Sequence, residues 1–152
     1  MAISDDLREF VALFLSEKVE FLVVGAYAMA YHRLPRYTGD IDLFVSTKGE
    51  NPGRICKAID SFGFKQLGLT EEDFKEPDQI IQLGQPPNRI DILTGISGVS
   101  FDEAQKTAEL GELEGLAVPF LSRDLLIVNK KATGRSKDLA DLELLMKQNG
   151  ES

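Results

Sequence analysis

Apolar positions along the chain change period several times, and each change marks an element. Leu7, Phe10, Val11, Phe14 and Leu15 recur at helical spacing. Ser4 is a good N-cap for that helix, and Asp5 and Asp6 suit the positive end of its dipole. Phe21–Val24 is a short apolar run closed by Gly25, which predicts a strand, and the small residues of 26–32 predict a short helix. Pro35 and Gly39 bracket a loop. Apolar residues at 41, 43 and 45 then follow the alternation of a strand. Asn51-Pro52-Gly53 marks a turn into a helix, with Pro at its start, and Ile55, Ala58, Ile59 and Phe62 form its stripe, closed by Gly63. The polar stretch 64–79 has no clear period. Ile80–Leu83 and Arg89–Leu93 flank Gly84-Gln85-Pro86-Pro87-Asn88 and predict an antiparallel hairpin. A helix is expected over 101–110. Val118-Pro119-Phe120 reads as a short edge strand, because proline is tolerated at edges. Ser122-Arg123-Asp124 starts a helix running to about Ala132, Gly134 interrupts it, and Ser136 caps a last helix with Leu139, Leu142 and Leu145 on its apolar side. The expectation is one α/β (α+β) domain over 1–152, with a small mixed sheet flanked by helices. No internal repeat, low-complexity tract or linker is present.

A length of 152 residues, 43% hydrophobic and 28% charged, is that of one globular domain. No apolar run is long enough to cross a bilayer. The acidic start Met1-Ala2-Ile3-Ser4-Asp5-Asp6 is not a secretory signal. A single cysteine, Cys56, excludes an intramolecular disulfide and a cysteine-rich zinc site, so a reducing, cytoplasmic setting fits. The net charge of −8 argues against broad nucleic-acid binding by overall electrostatics. One local basic patch stands out, where Lys130, Lys131, Arg135 and Lys137 fall within eight residues.

Candidate chemistry centres on Thr38-Gly39-Asp40-Ile41-Asp42-Leu43. Period-two alternation puts Asp40 and Asp42 on one face of their strand. Two adjacent anions repel, and a divalent metal between them removes that cost. Mg²⁺ suits such a pair together with substrate phosphate oxygens, which points to phosphoryl or nucleotidyl transfer. The other reading is a solvated edge strand with two outward carboxylates. Asp91 is a lone acid among apolar neighbours, either a surface residue, a partner for an arginine, or a third carboxylate if its strand lies beside that of Asp40 and Asp42. In the last case Asp91 also serves as proton acceptor. Val24-Gly25-Ala26 is a strand–glycine–helix junction, which is a tight turn or, at the free N–H groups of the helix, a phosphate cradle. Arg36 is suited to bidentate phosphate contact or to a solvated loop.

Val24-Gly25-Ala26, then Thr38-Gly39-Asp40-Ile41-Asp42-Leu43, then Arg89-Ile90-Asp91 together resemble the DNA polymerase beta-type nucleotidyltransferase superfamily. Its small bacterial members, the minimal and abortive-infection-type nucleotidyltransferases, are most similar, and the tail 129–141 resembles their C-terminal segment. The resemblance runs from about Phe21 to Leu145. It implies a mixed sheet flanked by helices, an NTP substrate and two Mg²⁺ ions, with Mn²⁺ as a substitute. Asp40, Asp42 and Asp91 are then the catalytic metal ligands, and Gly25, Ala26, Arg36, Thr38, Lys130 and Arg135 bind nucleotide. Ala26 departs from the pattern, since family members usually carry Gly or Ser there. The implied reaction moves a nucleoside monophosphate to a hydroxyl of an RNA, a partner protein or a small molecule. The alternatives are a catalytically weak nucleotide-binding module and the antitoxin-type member of a toxin–antitoxin pair.

Overall fold

A computed structural model describes residues 3–36 and 38–148. Met1 and Ala2, where the acidic N-terminal stretch begins, lie outside the described residues, as does Tyr37. The chain forms α1 (Asp5–Ser16), β1 (Phe21–Val24), α2 (Gly25–Tyr31), β2 (Asp40–Val45), α3 (Asn51–Ile59), β3 (Ile80–Leu83) and β4 (Arg89–Leu93). It continues through α4 (Phe101–Lys106), β5 (Glu109–Leu113), β6 (Leu116–Phe120), α5 (Arg123–Thr133) and α6 (Ser136–Lys147). A π-helical turn (Asp60–Phe64) and two short 3₁₀ helices (Lys65–Leu67 and Glu71–Phe74) fill most of the stretch between α3 and β3. The Ser4 hydroxyl accepts the Leu7 N–H at 3.2 Å and caps α1 as expected.

The six strands make one mixed sheet in the order β3-β4-β2-β1-β6-β5. β2 runs parallel to β4, and β1 parallel to β6; the other neighbours are antiparallel. Alternation sorts each strand's side chains between two cores. Val23, Ile41, Leu43, Val45, Ile90 and Ile92 face the buried aromatics Phe10 and Phe14 of α1 and Ile55 and Ile59 of α3. Leu22, Val24 and Phe44 point the other way, toward Met29 of α2, Ala104 of α4, Leu126 of α5 and Leu145 of α6. On this second face β2 is apolar at Phe44 and acidic at Asp42 and Asp40, so the sheet carries its polar end next to α2, α5 and α6.

Three expectations need correction. The helix over 101–110 stops at Lys106, and Glu109–Leu113 is instead the edge strand β5, paired with β6. Gly111 explains part of this. A Cβ there would lie 2.4 Å from the Tyr31 ring, which stacks on Phe120 at 4.3 Å. The strand containing Pro119 is therefore not at the edge: β6 lies between β1 and β5. Proline is accommodated because pairing with β1 is confined to Val23↔Phe120. The Leu121 N–H donates to the Val23 carbonyl at 3.0 Å, so alternation aims position 119 at that same side, where no further ladder forms. In α6, Arg135 rather than Ser136 occupies the cap position, and the buried face consists of Asp138, Asp141 and Leu145, while Leu139 is exposed. The cations that permit buried acids there belong to the site.

Candidate active site

β2 and β4 lie side by side in a register that pairs Asp42 with Asp91 and Asp40 with Arg89. Directly opposed residues project from the same face, so three carboxylates meet at one place. One ligand oxygen each from Asp40, Asp42 and Asp91 lies within 4.8 Å of the others. The condition set by the sequence for Asp91 as a third carboxylate is met.

The three acids differ in environment. Asp42 is held up to about 7 by burial first, then by the charges of Asp40 and Asp91. Burial also pushes Asp40 upward, but the Thr38 hydroxyl, which donates to its Oδ1 at 2.7 Å, and Arg89 outweigh it, so Asp40 sits below the usual carboxylate range. Asp91 is raised because its burial exceeds the help from Arg89. The Arg89 Nε donates to Asp91 Oδ1 at 2.9 Å, and its Nη2 bridges Asp91 Oδ2 at 3.1 Å and Asp40 Oδ2 at 2.5 Å. An all-oxygen set of three carboxylates, one pushed up to about 7 by burial and then by like charge, suits a hard divalent cation such as Mg²⁺ or Mn²⁺.

Gly25 serves this cluster in a way spacing did not reveal. Val24 pairs with Asp42 across the sheet, and the chain then turns sharply into α2. Gly25 has a φ of +66°, and a Cβ there would stand 2.0 Å from Asp42 Oδ2. The glycine thus makes room for the carboxylate as well as the turn. Gly25→Ala is expected to destabilise the fold by about 2 kcal/mol or more through left-handed strain and the collision. Gly49→Ala is the reference in urea denaturation, since Gly49 shares a positive φ with no atom within 4 Å of a Cβ. Equal losses in the two variants would remove the claim about Asp42. α2 has no side-chain cap at its N-terminus, so first-turn N–H groups at Gly25 and Ala26 are open to a ligand.

A cleft of about 440 Å³ opens on the carboxylates. Gly25, Ala26, Thr38, Asp40, Asp42 and Asp91 line one part of it, and Arg36, Lys130, Thr133, Arg135 and Asp138 another. All nine residues that the sequence singled out for metal and nucleotide therefore border one cavity. The basic wall is already engaged. Lys130 Nζ, its side chain only 11% exposed, contacts Asp138 Oδ1 at 3.1 Å and Asp141 Oδ2 at 3.0 Å. Arg36 Nη1 lies 2.7 Å from Asp141 Oδ1, and Arg135 Nε lies 2.7 Å from Asp138 Oδ2. The Thr133 hydroxyl donates to Asp138 at 2.6 Å. Burial opposes ionisation of Asp138, yet Thr133, Arg135 and Lys130 outweigh it and hold the group at about 2. Asp141 is lowered likewise, with Lys130 and Arg36 overcoming its burial. Gly134, at a φ of +66°, ends α5 and folds α6 back so that these partners meet.

Their place near the start of α6 suits Asp138 and Asp141 to the helix dipole or, for Asp138, to a pair with Arg135, and the structure forms that pair; sequence position alone gives Arg89 no role. The available signals were the spacing of the two acids, three apart beside Leu142 and Leu145, and the placement of Arg89 two residues before Asp91 in one strand.

No family model and no curated protein sequence matches this chain. Solved structures do. A nucleotidyltransferase candidate from Thermotoga maritima aligns over 96% of this chain and 91% of its own, with a TM-score of 0.56 at 18% identity. The chain has a nucleotidyltransferase-like fold. ANT(2″)-Ia, solved with adenylyl-2″-tobramycin, aligns over 93% of this chain and 86% of its own, with a TM-score of 0.55 at 15% identity. The expected mixed sheet with flanking helices is thus the observed architecture, and its neighbours are nucleotidyltransferase structures. No helix among the described residues is long and apolar enough to cross a membrane.

Proposed function

We propose that this nucleotidyltransferase-like fold is an active, divalent-metal-dependent enzyme that moves a nucleoside monophosphate from an NTP to a hydroxyl acceptor. The observation that carries the reading is the convergence of Asp40, Asp42 and Asp91 within 4.8 Å beside the open first turn of α2. Asp40, Asp42 and Asp91 would hold Mg²⁺ or Mn²⁺, two ions by family resemblance. Such ions neutralise triphosphate charge and activate the attacking oxygen. Gly25 and Ala26 offer backbone N–H groups to the phosphates, and Thr38 orients Asp40. Lys130, Arg36 and Arg135 present positive charge along the cleft, fixed in place by Asp138 and Asp141. The acceptor oxygen forms a bond to the α-phosphorus, the bond to the β-phosphate oxygen breaks, and pyrophosphate leaves. The acceptor proton passes to Asp91, whose burial raises its affinity for it.

The acceptor is a hydroxyl of an RNA end, a partner protein or a small molecule. ANT(2″)-Ia, bound to adenylyl-2″-tobramycin, favours the small molecule. The absence of a side-chain hydroxyl at Ala26 favours a second reading, a module that binds NTP or a toxin–antitoxin partner with little turnover. Base-labelled NTPs incubated with Mg²⁺ and panels of RNA, lysate protein and amino sugars separate the two. Metal-dependent labelling that Asp42→Asn abolishes supports the enzyme. Saturable NTP binding without labelling supports the module, and labelling that survives in Asp40→Asn/Asp42→Asn overturns the site.

Metal loading has a pH signature. Asp42 must lose its proton to ligate, and its pKa is about 7. Mg²⁺ affinity is therefore expected to rise roughly tenfold per pH unit below neutrality and to level off above it. Calorimetry at pH 6 and 8, in buffers of different ionisation enthalpy, reads both the affinity and the released proton. A flat profile would count against Asp42 as a ligand.

A further inference from the structure

The strands that carry the carboxylates also lay out the two ends of the proposed reaction. Across the sheet Val24 pairs with Asp42, Asp42 with Asp91, and Asp91 with Gln82 of β3. Gly25 and the open turn of α2 therefore stand at one end of this row, and the edge strand β3 at the other. Two residues along on the same face, Phe44, Leu93 and Ile80 form the neighbouring row. Ile80 is 62% exposed, while Leu93 and Ile96 are half-buried against the second core. Ile80, Leu93 and Ile96 all line the cleft and form an apolar ledge beside Asp91. The loop after β4 walls this ledge. The Asn129 side-chain amide donates to the Ser97 carbonyl at 2.9 Å, and a Cβ on Gly98 would stand 2.7 Å from the Ala132 Cβ, so the loop is seated on α5. Apart from Asp91, no charged side chain of β3, β4 or this loop lines the cleft among the described residues. The cations that line it come from the loop after α2 and from α5, α6 and the turn between them. Asp78 packs on Gly95 and borders a separate hollow.

We propose that Ile80, Leu93 and Ile96 form the acceptor subsite, and that the acceptor is a small, uncharged hydroxyl compound with an apolar face. The inference rests on the nucleotidyl-transfer reading above and narrows its acceptor. In-line displacement puts the attacking oxygen and the leaving pyrophosphate on opposite sides of the α-phosphorus. With the β- and γ-phosphates at the first turn of α2, attack comes from the side of Asp91 and β3. The acceptor oxygen bonds to phosphorus there as the bond to the β-phosphate oxygen breaks, its proton goes to Asp91, and its body rests on the ledge. The surface of the ledge then sets the class of compound. An RNA end needs cations along its phosphates, and a polyamine needs carboxylates; the ledge supplies neither. An apolar face laid over the exposed Ile80 gains the hydrophobic term instead. Gln82, exposed and directly opposite Asp91, brings an uncharged donor and acceptor to the same edge for a further hydroxyl.

The test is methyl NMR of isoleucine-labelled protein with Mg²⁺ and a non-hydrolysable NTP analogue, titrated with methyl β-glucoside, hexyl β-glucoside, tobramycin or a short oligoadenylate. The two glucosides share their hydroxyls and differ only in apolar length. Hexyl β-glucoside is expected to shift the Ile80 and Ile96 methyl signals saturably and to bind about tenfold more tightly than methyl β-glucoside. Ile80→Ser should cancel most of that gain, and Leu110→Ser, an exposed apolar position on the opposite edge strand, should leave it intact. Transfer from an α-labelled NTP should follow the same order. Equal affinity for the two glucosides, or displacement of hexyl β-glucoside from the two methyl signals by a lower concentration of tobramycin or oligoadenylate, overturns the proposed class. Binding of the analogue with no shift at Ile80 and Ile96 from either glucoside, or occupancy of the ledge without transfer, overturns the acceptor subsite and leaves the nucleotide site standing. Failure of the analogue itself to bind with Mg²⁺ overturns the nucleotidyl-transfer reading and the subsite together.

Discussion

Asp42→Asn is expected to lower nucleotidyl transfer by about 10³-fold or more while making the metal-free protein more stable at pH 8. The two effects have one cause. Asp42 is half-buried beside two like charges, and desolvation first, then those charges, hold its pKa at about 7 in the folded state. In the unfolded chain it returns to the ordinary carboxylate value of 3.8. The unfolded state therefore gives up this proton first as pH rises, so the stability from this group is greatest below about pH 4 and falls as pH climbs toward 7. Above that, the folded protein carries a desolvated anion that costs on the order of 4 kcal/mol. Asn keeps the shape and removes the charge. Thermal denaturation in EDTA at pH 8 should show the variant melting higher, whereas added Mg²⁺ should raise the melting temperature of wild type alone. A variant that retains transfer, or melts lower than wild type in EDTA at pH 8, would contradict the site.

The second large effect lies across the cleft. Asp138→Ala should destabilise the protein by about 3 kcal/mol, because it leaves the buried Lys130 with one carboxylate and strips Thr133 and Arg135 of theirs. The pH dependence has the opposite sign to that of Asp42. Asp138 is held at about 2, so its contribution is complete above pH 4 and disappears as pH falls through 2. Urea denaturation of wild type and Asp138→Ala should converge over that acid window. The double variant Lys130→Met/Asp138→Leu should lose less than the sum of the single variants, since an apolar pair can replace a buried ion pair. Additive losses would mean that Lys130 and Asp138 stabilise the fold independently.

These two residues mark how far the sequence could be read. Asp42 was legible because strand alternation is local: Ile41, Leu43 and Val45 fill one core, and that fixes the opposite face for Asp40 and Asp42. Asp138 was not legible as a buried group, because helical spacing sorts residues by hydropathy and takes Leu139 as the inward residue. What decided its burial was the set of partners that the return of α6 along α5 brings to it, Lys130, Thr133 and Arg135. Ionic partners can reverse a face that hydropathy alone assigns. Arg89 falls in the same class. Its spacing from Asp91 was visible, but its bridge to Asp40, 49 residues away, depends on strand pairing.

Edge and interior strands divide along the same line. Pro119 suggested an edge because a proline lacks the N–H that a ladder needs. The single paired position between β1 and β6 makes that loss harmless, a fact of register and not of composition.

By itself the sequence determined which residues could share a surface: the short-period pattern of each strand and helix dictates the faces, and the sharp turn at Gly25 follows from a residue with no Cβ. Tertiary structure alone decided which surfaces meet. The parallel pairing of β2 with β4 set Asp91 opposite Asp42, and the return of α6 along α5 buried two acids against Lys130, because long-range pairing is settled by how whole faces pack and not by any local period.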